Sequence, residues 1–186
     1  MVDQRQLSKE EFKQLRAANF KPFDRNATRK IEPILVLPRG IGRHFCAINT
    51  ISAFSASYVD IYDAWETPSE EAMLNLWLFL NSSVAWLIRE VVGRKNLGGG
   101  MLKAEAVDLK SFPIYLNFGQ LSDIRSICDE LRKREALDTV SEIETPEHRR
   151  IDKMVFDYLN IEYNRRIELI DLLRKKILER IEKSKT

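Results

Sequence analysis

The first half of the chain carries short apolar runs separated by turn residues, a pattern that predicts β-strands. Ile34 to Leu37 are four consecutive aliphatic residues closed by Pro38, which is typical of a short strand. From Ser52 to Asp63 aromatic and β-branched residues recur with a period of two, and this period predicts a second strand. The segment Phe112–Ile114 is predicted to be an edge strand, because its proline cannot donate a hydrogen bond to a neighbouring strand.

The apolar spacing then changes from two residues to three and four. The stretch Thr67–Glu70 has the residue order of a helix start, and apolar residues recur at helical spacing as far as Gly93. These residues predict one long buried helix. Further amphipathic helices are predicted over Leu121–Leu131, after the Thr-Pro pair Thr145–Pro146, and from Tyr163 to Ile181.

Together these patterns predict an α+β fold, in which a small mixed β-sheet body packs on one long buried helix and a helical C-terminal tail follows. Ser8 and Glu11 have capping-box spacing and predict a helix from Ser8 to Asn19. The predicted divisions are a helical lead-in over residues 1–29, an α/β body over 30–118, and a helical tail over 119–186 that could serve as a docking segment.

Charge narrows the possible functions. The 186 residues include 30 Lys and Arg against 28 Asp and Glu, a net charge of +2. This balance excludes disorder driven by excess charge and excludes a uniformly basic nucleic-acid binder. The charges are unevenly spread, however, because residues 1–50 hold ten basic and five acidic groups while residues 51–92 hold one basic and six acidic groups. Any basic binding surface must therefore be local.

Hydropathy and cysteine content indicate the compartment. The most hydrophobic stretch, Met73 to Val92, is interrupted by polar residues such as Asn81 and Glu90, so a bilayer-spanning helix is not expected. The first residues lack the apolar run of a signal peptide. Cys46 and Cys128 lie too far apart for a disulfide framework or a zinc motif, and they are expected to be buried free thiols. We therefore expect a cytoplasmic protein with no membrane partner.

No catalytic set of residues is evident from spacing. The two histidines, His44 and His148, are far apart and neither has a Ser or Cys at motif spacing, so a triad could arise only through the tertiary fold. No metal-binding Cys or His spacing is present, and no metal is expected. Asp60, Asp63 and Glu66 cluster near a strand end and leave a small metal-dependent nuclease as an alternative. No lysine follows them at short spacing, however, and a polar strand-to-helix turn is the preferred explanation.

Two glycine-containing segments are surrounded by basic residues. The first runs from Arg39 to Arg43 and the second from Arg94 to Lys103. Neither has the full motif of a dinucleotide site or a Walker loop. Small residues let a backbone approach a polyanion, and arginine can bind a phosphate or a guanine edge through two hydrogen bonds. These segments favour nucleic acid over a small cofactor, with a plain tight turn as the alternative. The glycines expected to permit close approach are Gly40, Gly42, Gly98, Gly99 and Gly100.

Four motifs follow one another along the chain: LVLPRGIGR at Leu35–Arg43, LNSSVAW at Leu80–Trp86, GGGMLK at Gly98–Lys103 and VDLKSFPI at Val107–Ile114. In that order they resemble the C-terminal target-recognition domain of adenine-specific DNA methyltransferases of restriction–modification systems, the TaqI-like specificity domain. They are also similar to the specificity subunits of type I systems. The residues from Glu147 onward resemble the helical segment that ends many fused methyltransferase–restriction enzymes.

The resemblance implies a DNA-recognition part without a catalytic part. The family's catalytic domain carries an Asn-Pro-Pro-Tyr/Phe motif and a glycine-rich S-adenosylmethionine motif, and this chain contains neither. We therefore expect no enzymatic activity from the chain alone and no cofactor in it, with S-adenosylmethionine bound only by a separate catalytic domain or subunit. That domain and duplex DNA are the expected partners. The residues expected to contact DNA are Arg39, Arg43, His44, Arg94, Lys95, Asn96 and Lys103. Asn81 and Ser82 match the family motif and are expected to pack and bond to backbone.

A second interpretation remains open. The amphipathic tail over residues 145–186 could dock on a methyltransferase or restriction subunit, with the body as a scaffold. Both interpretations can hold together. The observation that distinguishes them is whether the basic loops converge on one face, away from the apolar stripe of the tail.

Overall fold

The structure is a computed structural model that describes residues 33–50, 58–61, 69–94, 101–109, 112–114 and 118–183. The predicted N-terminal helix and the lead-in over residues 1–29 lie outside these residues. The strands are β1 (Leu35–Pro38), β2 (Gly40–Ile41), β3 (Ala47–Ile48), β4 (Tyr58–Ile61) and β5 (Leu102–Lys103). The helices are α1 (Glu70–Leu80), α2 (Ser83–Val92), α3 (Leu121–Leu131), α4 (Thr139–Ile143), α5 (Pro146–Tyr158) and α6 (Tyr163–Glu182).

The predicted α+β class is confirmed, but the sheet is not mixed. Strand β1 lies between β3 and β4, and both pairings are antiparallel. Leu35 pairs with Ile48 on one side and with Ile61 on the other. Strands β2 and β5 form a separate antiparallel pair. The described residues Phe112–Ile114, predicted to be an edge strand, pair with no strand.

Two buried helices, α1 and α2, stand where one long helix was predicted. They are bent by 64° at Asn81 and Ser82. Ser82 is extended, with φ −83° and ψ 157°, and its Oγ accepts a hydrogen bond from the Ala85 amide. An extended residue with a side-chain acceptor ends one helix and starts the next. Gly93 follows the last residue of α2, as predicted.

The helix start predicted at Thr145 and Pro146 is confirmed. Thr145 caps α5 by accepting a hydrogen bond from the His148 amide, and Pro146 occupies the first helical position. Helix α1 is capped by Ser69, whereas the predicted start residues Thr67 and Pro68 lie outside the described residues.

The helices after residue 118 belong to the same core as the strands. One cluster joins Leu35 and Leu37 of β1 with residues of α1, and also with Ile124 of α3 and Ile151 of α5. A second cluster joins Trp86 of α2 to α6 through Leu173 and Ile177. Helices on both sides of the predicted boundary at residues 118–119 therefore share hydrophobic clusters. The reason is that each of these helices has an apolar stripe that must be covered.

Among the described residues, no single helix is both long enough and apolar enough to cross a bilayer. Helices α1 and α2 meet the length and composition criteria only when they are counted as one segment, despite the 64° bend between them.

Candidate nucleic-acid interface

The two predicted basic segments meet in the pair formed by β2 and β5. Gly40 is opposite Lys103, and Ile41 is opposite Leu102. Arg94 extends the pairing, because its amide and carbonyl exchange 2.9 Å hydrogen bonds with those of Lys103. Segments that lie more than fifty residues apart in the sequence thus become neighbours. The side chains of Ile41 and Leu102 are buried, and with Ala104 they form a small hydrophobic cluster of their own.

The charged side chains of this strand pair lie at the surface. The exposed fraction of the side chain is 58% for Arg94 and 38% for both Arg39 and Lys103. We call these three residues, together with the exposed Arg43, the basic surface. A Cβ at Gly42 would have no atom within 4 Å, so the backbone there is open to the approach of another molecule.

Two carboxylates partly neutralise the basic surface. Glu105 accepts from Arg39 at 2.5 Å and from Lys103 at 2.8 Å, and Asp108 pairs with Arg94 at 2.9 Å. The hydrogen bond from Lys103, followed by that from Arg39, lowers the pKa of Glu105. The amide of Glu105, followed by Arg94, lowers the pKa of Asp108. Both carboxylates are therefore ionised at neutral pH, and a phosphate must compete with them for the three cations.

Arg43 connects the basic surface to a run of basic residues that the sequence reasoning did not single out. Its Nη1 donates to the carbonyl oxygen of Ala136 at 2.9 Å. The residues just before Ala136 are Arg132, Lys133 and Arg134, and the first two are exposed. The sequence shows this run of three basic residues, and it could have been chosen as a candidate for DNA contact. Its position near the first glycine segment becomes evident only from the contact between Arg43 and Ala136.

His44 does not fit the predicted set of DNA contacts. Its side chain is fully buried, and Nε2 lies 2.9 Å from Oε1 of Glu90, whose side chain is also fully buried. Burial, more than any neighbouring charge, lowers the pKa of His44 to about 4. The imidazole is therefore neutral at pH 7, with Nε2 as the donor to Glu90. We correct the prediction, because this side chain cannot reach DNA from the interior.

Lys95, Asn96 and Gly98 to Gly100 lie outside the described residues, as do Asp63 and Glu66 of the alternative nuclease site. In the part of the chain that the structure describes, no three His, Cys, Asp or Glu side chains gather into a possible metal site.

The fold brings together a serine, a histidine and an aspartate that sequence spacing did not link. Ser83 Oγ lies 2.6 Å from Asp152 Oδ2 and 2.9 Å from His148 Nε2. The serine proton goes to the carboxylate, so the histidine donates to the hydroxyl and cannot also accept its proton. In a catalytic triad the aspartate orients the histidine through its other nitrogen. Here Asp152 also accepts from the Ser83 amide at 2.7 Å, and the three buried residues hold the start of α2 against α5.

Asn81 and Ser82 take the structural positions that were expected of them. The Asn81 amide nitrogen donates to the carbonyl oxygens of Cys46 at 3.0 Å and Trp77 at 2.9 Å, and its oxygen accepts from the Cys46 amide at 2.9 Å. Both residues are buried. The prediction that they bond to backbone is confirmed.

A cavity of about 350 Å³ lies among β3, α1, α3 and α5. Its wall includes the rings of Trp77, Trp86 and His148, and both cysteines. Cys46 and Cys128 are buried free thiols, as predicted. Burial raises the pKa of Cys46 to about 12 and also raises that of Cys128. Both thiols are therefore protonated and poor nucleophiles at neutral pH.

Comparison with known proteins adds no relative: no protein-family model, no curated protein and no solved structure matches the chain.

Proposed function

We propose that the chain is the DNA target-recognition part of a restriction–modification system, acting with an adenine-specific methyltransferase domain or subunit. The observation that carries the proposal is the pairing of β2 with β5. It brings Arg39, Arg94 and Lys103 together at the surface, with between 38% and 58% of each side chain exposed. The order of motifs that resembles the TaqI-like specificity domain supports the same assignment.

The chemistry of the basic surface suits a nucleic acid. Lysine and arginine side chains supply affinity through phosphates, and arginine can also read guanine in the major groove through two hydrogen bonds. The open backbone at Gly42 lets a phosphate or a groove edge come close. Since Glu105 and Asp108 already hold these cations, contact with DNA exchanges an internal ion pair for a phosphate, and that exchange limits non-specific binding.

The chain supplies recognition and its partner supplies chemistry. Methylation of an adenine requires the base to leave the duplex and enter a pocket of the catalytic domain. S-adenosylmethionine belongs to that domain, and the recognition part holds the register of the duplex meanwhile. We propose that this happens in the cytoplasm, with no catalytic step performed by the chain itself.

The salt dependence of DNA binding tests the proposal. We expect Arg94→Ala to weaken binding to a mixed-sequence duplex, and to flatten the slope of log K against log salt by about 0.9 if the side chain neutralises one phosphate. Glu105→Gln should do the opposite and tighten binding, because it frees Arg39 and Lys103 and removes a negative charge. Fluorescence anisotropy across a salt series starting at about 20 mM, where screening is slight, measures both.

Lys175→Ala is the matched control, since Lys175 is an exposed cation on α6 outside the basic surface. It should leave affinity and slope unchanged. Equal losses in Lys175→Ala and Arg94→Ala would mean that binding follows net charge alone and would overturn the assignment of the interface.

The assembly interpretation is favoured by a separate observation. Helix α6 buries one face on α2 but leaves Tyr163, Ile167 and Leu178 with exposed fractions of 74%, 44% and 49%. Absence of DNA binding even at about 20 mM salt would leave a subunit-assembly module as the better function.

A further inference from the structure

The first glycine segment is held from inside the protein by the C-terminal helix. Arg180 of α6 is 4% exposed, and its Nη1 donates to the carbonyl oxygen of Ile41 at 3.2 Å. Ile41 lies between Gly40 and Gly42. A charged side chain 139 residues away in the sequence thus fixes the peptide at the centre of the segment.

Glu90 of α2 holds Arg180 in this position. Nε and Nη2 of Arg180 lie 2.9 to 3.2 Å from the carboxylate oxygens. Burial by itself raises the pKa of Glu90, but hydrogen bonds from His44 and Arg180 outweigh it and lower the pKa. The carboxylate is therefore ionised, and it fixes the guanidinium and the His44 ring at the same time.

Arg89 completes the support on the same side. Its guanidinium is fully buried, and Nη2 donates to the carbonyl oxygen of Pro38 at 2.9 Å. The segment from Pro38 to His44 is therefore held at its beginning by Arg89, at its centre by Arg180 and at its end by Glu90. Buried guanidinium groups that bond to carbonyl oxygens turn those oxygens inward, and β2 pairs with β5 on the remaining side.

We propose that Arg180 is a positioning residue for the basic surface, so that the C-terminal helix sets the conformation of the segment that contacts DNA. The DNA half of this inference rests on the proposed function, and the conformational half does not. This arrangement explains why α6 has a buried arginine at position 180. An apolar side chain there could pack against α2, but it could not donate a hydrogen bond to the Ile41 carbonyl oxygen.

The test replaces both members of the Glu90–Arg180 ion pair, so that neither is left buried without the other. In the double variant Glu90→Gln with Arg180→Met, the glutamine oxygen still accepts from His44 and the methionine fills the space of the arginine stem. Hydrogen exchange measured by mass spectrometry should be about tenfold faster at residues 39–44 and 102–104, as expected for local opening. Exchange in α1 and the midpoint of urea unfolding should change little. Affinity for a mixed-sequence duplex should fall severalfold with an unchanged salt slope, because no phosphate contact is removed.

Arg174→Met is the matched control. Arg174 lies on the same helix and pairs with Glu144 and Asp171, away from the glycine segment, so exchange at residues 39–44 should stay as in the wild type. The inference is overturned if the double variant leaves exchange at residues 39–44 unchanged, or if exchange rises equally in all helices. If the wild-type chain does not bind DNA, the proposed function fails while the exchange data still decide whether Arg180 positions the segment.

Discussion

At the scale of single residues, several buried polar side chains bond to backbone atoms and to each other. The side-chain amide of Asn81 accepts a hydrogen bond from the Cys46 N–H and donates to the carbonyl oxygens of Cys46 and Trp77. Arg89 donates to the carbonyl oxygens of Pro38 and Phe45. Burial lowers the pKa of Arg89 to about 10, so it stays charged at neutral pH. These contacts tie the end of β1 and the segment around Phe45 and Cys46 to α1 and α2.

The titration of His44 makes stability depend on pH. The pKa of His44 is about 4 in the folded protein against an ordinary value of 6.5, so between these values the unfolded chain binds more protons. The free energy of unfolding should therefore fall as the pH drops from 6.5 to 4, by up to about 1.4 kcal/mol per pH unit from this residue. Urea unfolding at a series of pH values measures the slope.

His44→Gln supplies the comparison, because glutamine can donate to Glu90 but does not titrate. The variant should be less stable at pH 7 and show a flatter pH dependence between 4 and 6.5, since all other groups are common to both proteins. Identical slopes would contradict the lowered pKa.

At the scale of elements, the end of α2 and strand β5 are in close contact. A Cβ added to Gly93 would lie 2.6 Å from Cδ1 and Cγ of Leu102 and 2.8 Å from the Arg89 carbonyl oxygen. The missing side chain thus allows β5 to cross the helix end and reach β2. The basic surface depends on this crossing, because Leu102 precedes Lys103.

Gly93→Ala should therefore destabilise the fold by about 1–3 kcal/mol through overpacking. It should also weaken DNA binding, because β5 must shift. Gly42→Ala is the control, since a Cβ there meets nothing within 4 Å, and its stability should stay within about 0.5 kcal/mol of the wild type. Urea unfolding measures the free energy of unfolding of both variants. Equal values would contradict the close contact of Gly93 with Leu102.

At the scale of the whole molecule, the sheet is covered by helices that come from both halves of the sequence. Ile124 and Ile127 of α3, with Ile151 and Val155 of α5, are buried in the cluster that contains β1. Because a chain needs its apolar faces covered to fold cooperatively, neither half is expected to be stable alone.

A fragment of residues 1–118 should accordingly lack a cooperative urea transition, and mixing it with a fragment of residues 119–186 should restore one. Far-ultraviolet circular dichroism against urea concentration provides the measurement. A cooperative transition in the first fragment alone would show that residues 1–118 form an independent domain.

The sequence determined by itself the features that arise from local spacing. Apolar residues three and four apart placed α3, α5 and α6, and Thr145 with Pro146 marked the start of α5, because capping and helical periodicity involve residues within one or two turns. The same reasoning missed the break at Ser82, since the apolar pattern continues across it. Ser82 caps α2, and Asn81 bonds to Cys46, a contact across 35 residues that local spacing does not reveal.

The tertiary structure alone decided which of the candidate residues act together. Arg39, Arg94 and Lys103 share a surface because β2 pairs with β5, and His44 leaves that set because Glu90 and Arg180 surround it in the interior. A sequence in which glycine and arginine are neighbours does not reveal whether the arginine side chain is exposed on a loop or buried, where it would bond to backbone carbonyl oxygens. The choice is made by contacts across 46 to 139 residues, and such contacts depend on how the helices pack.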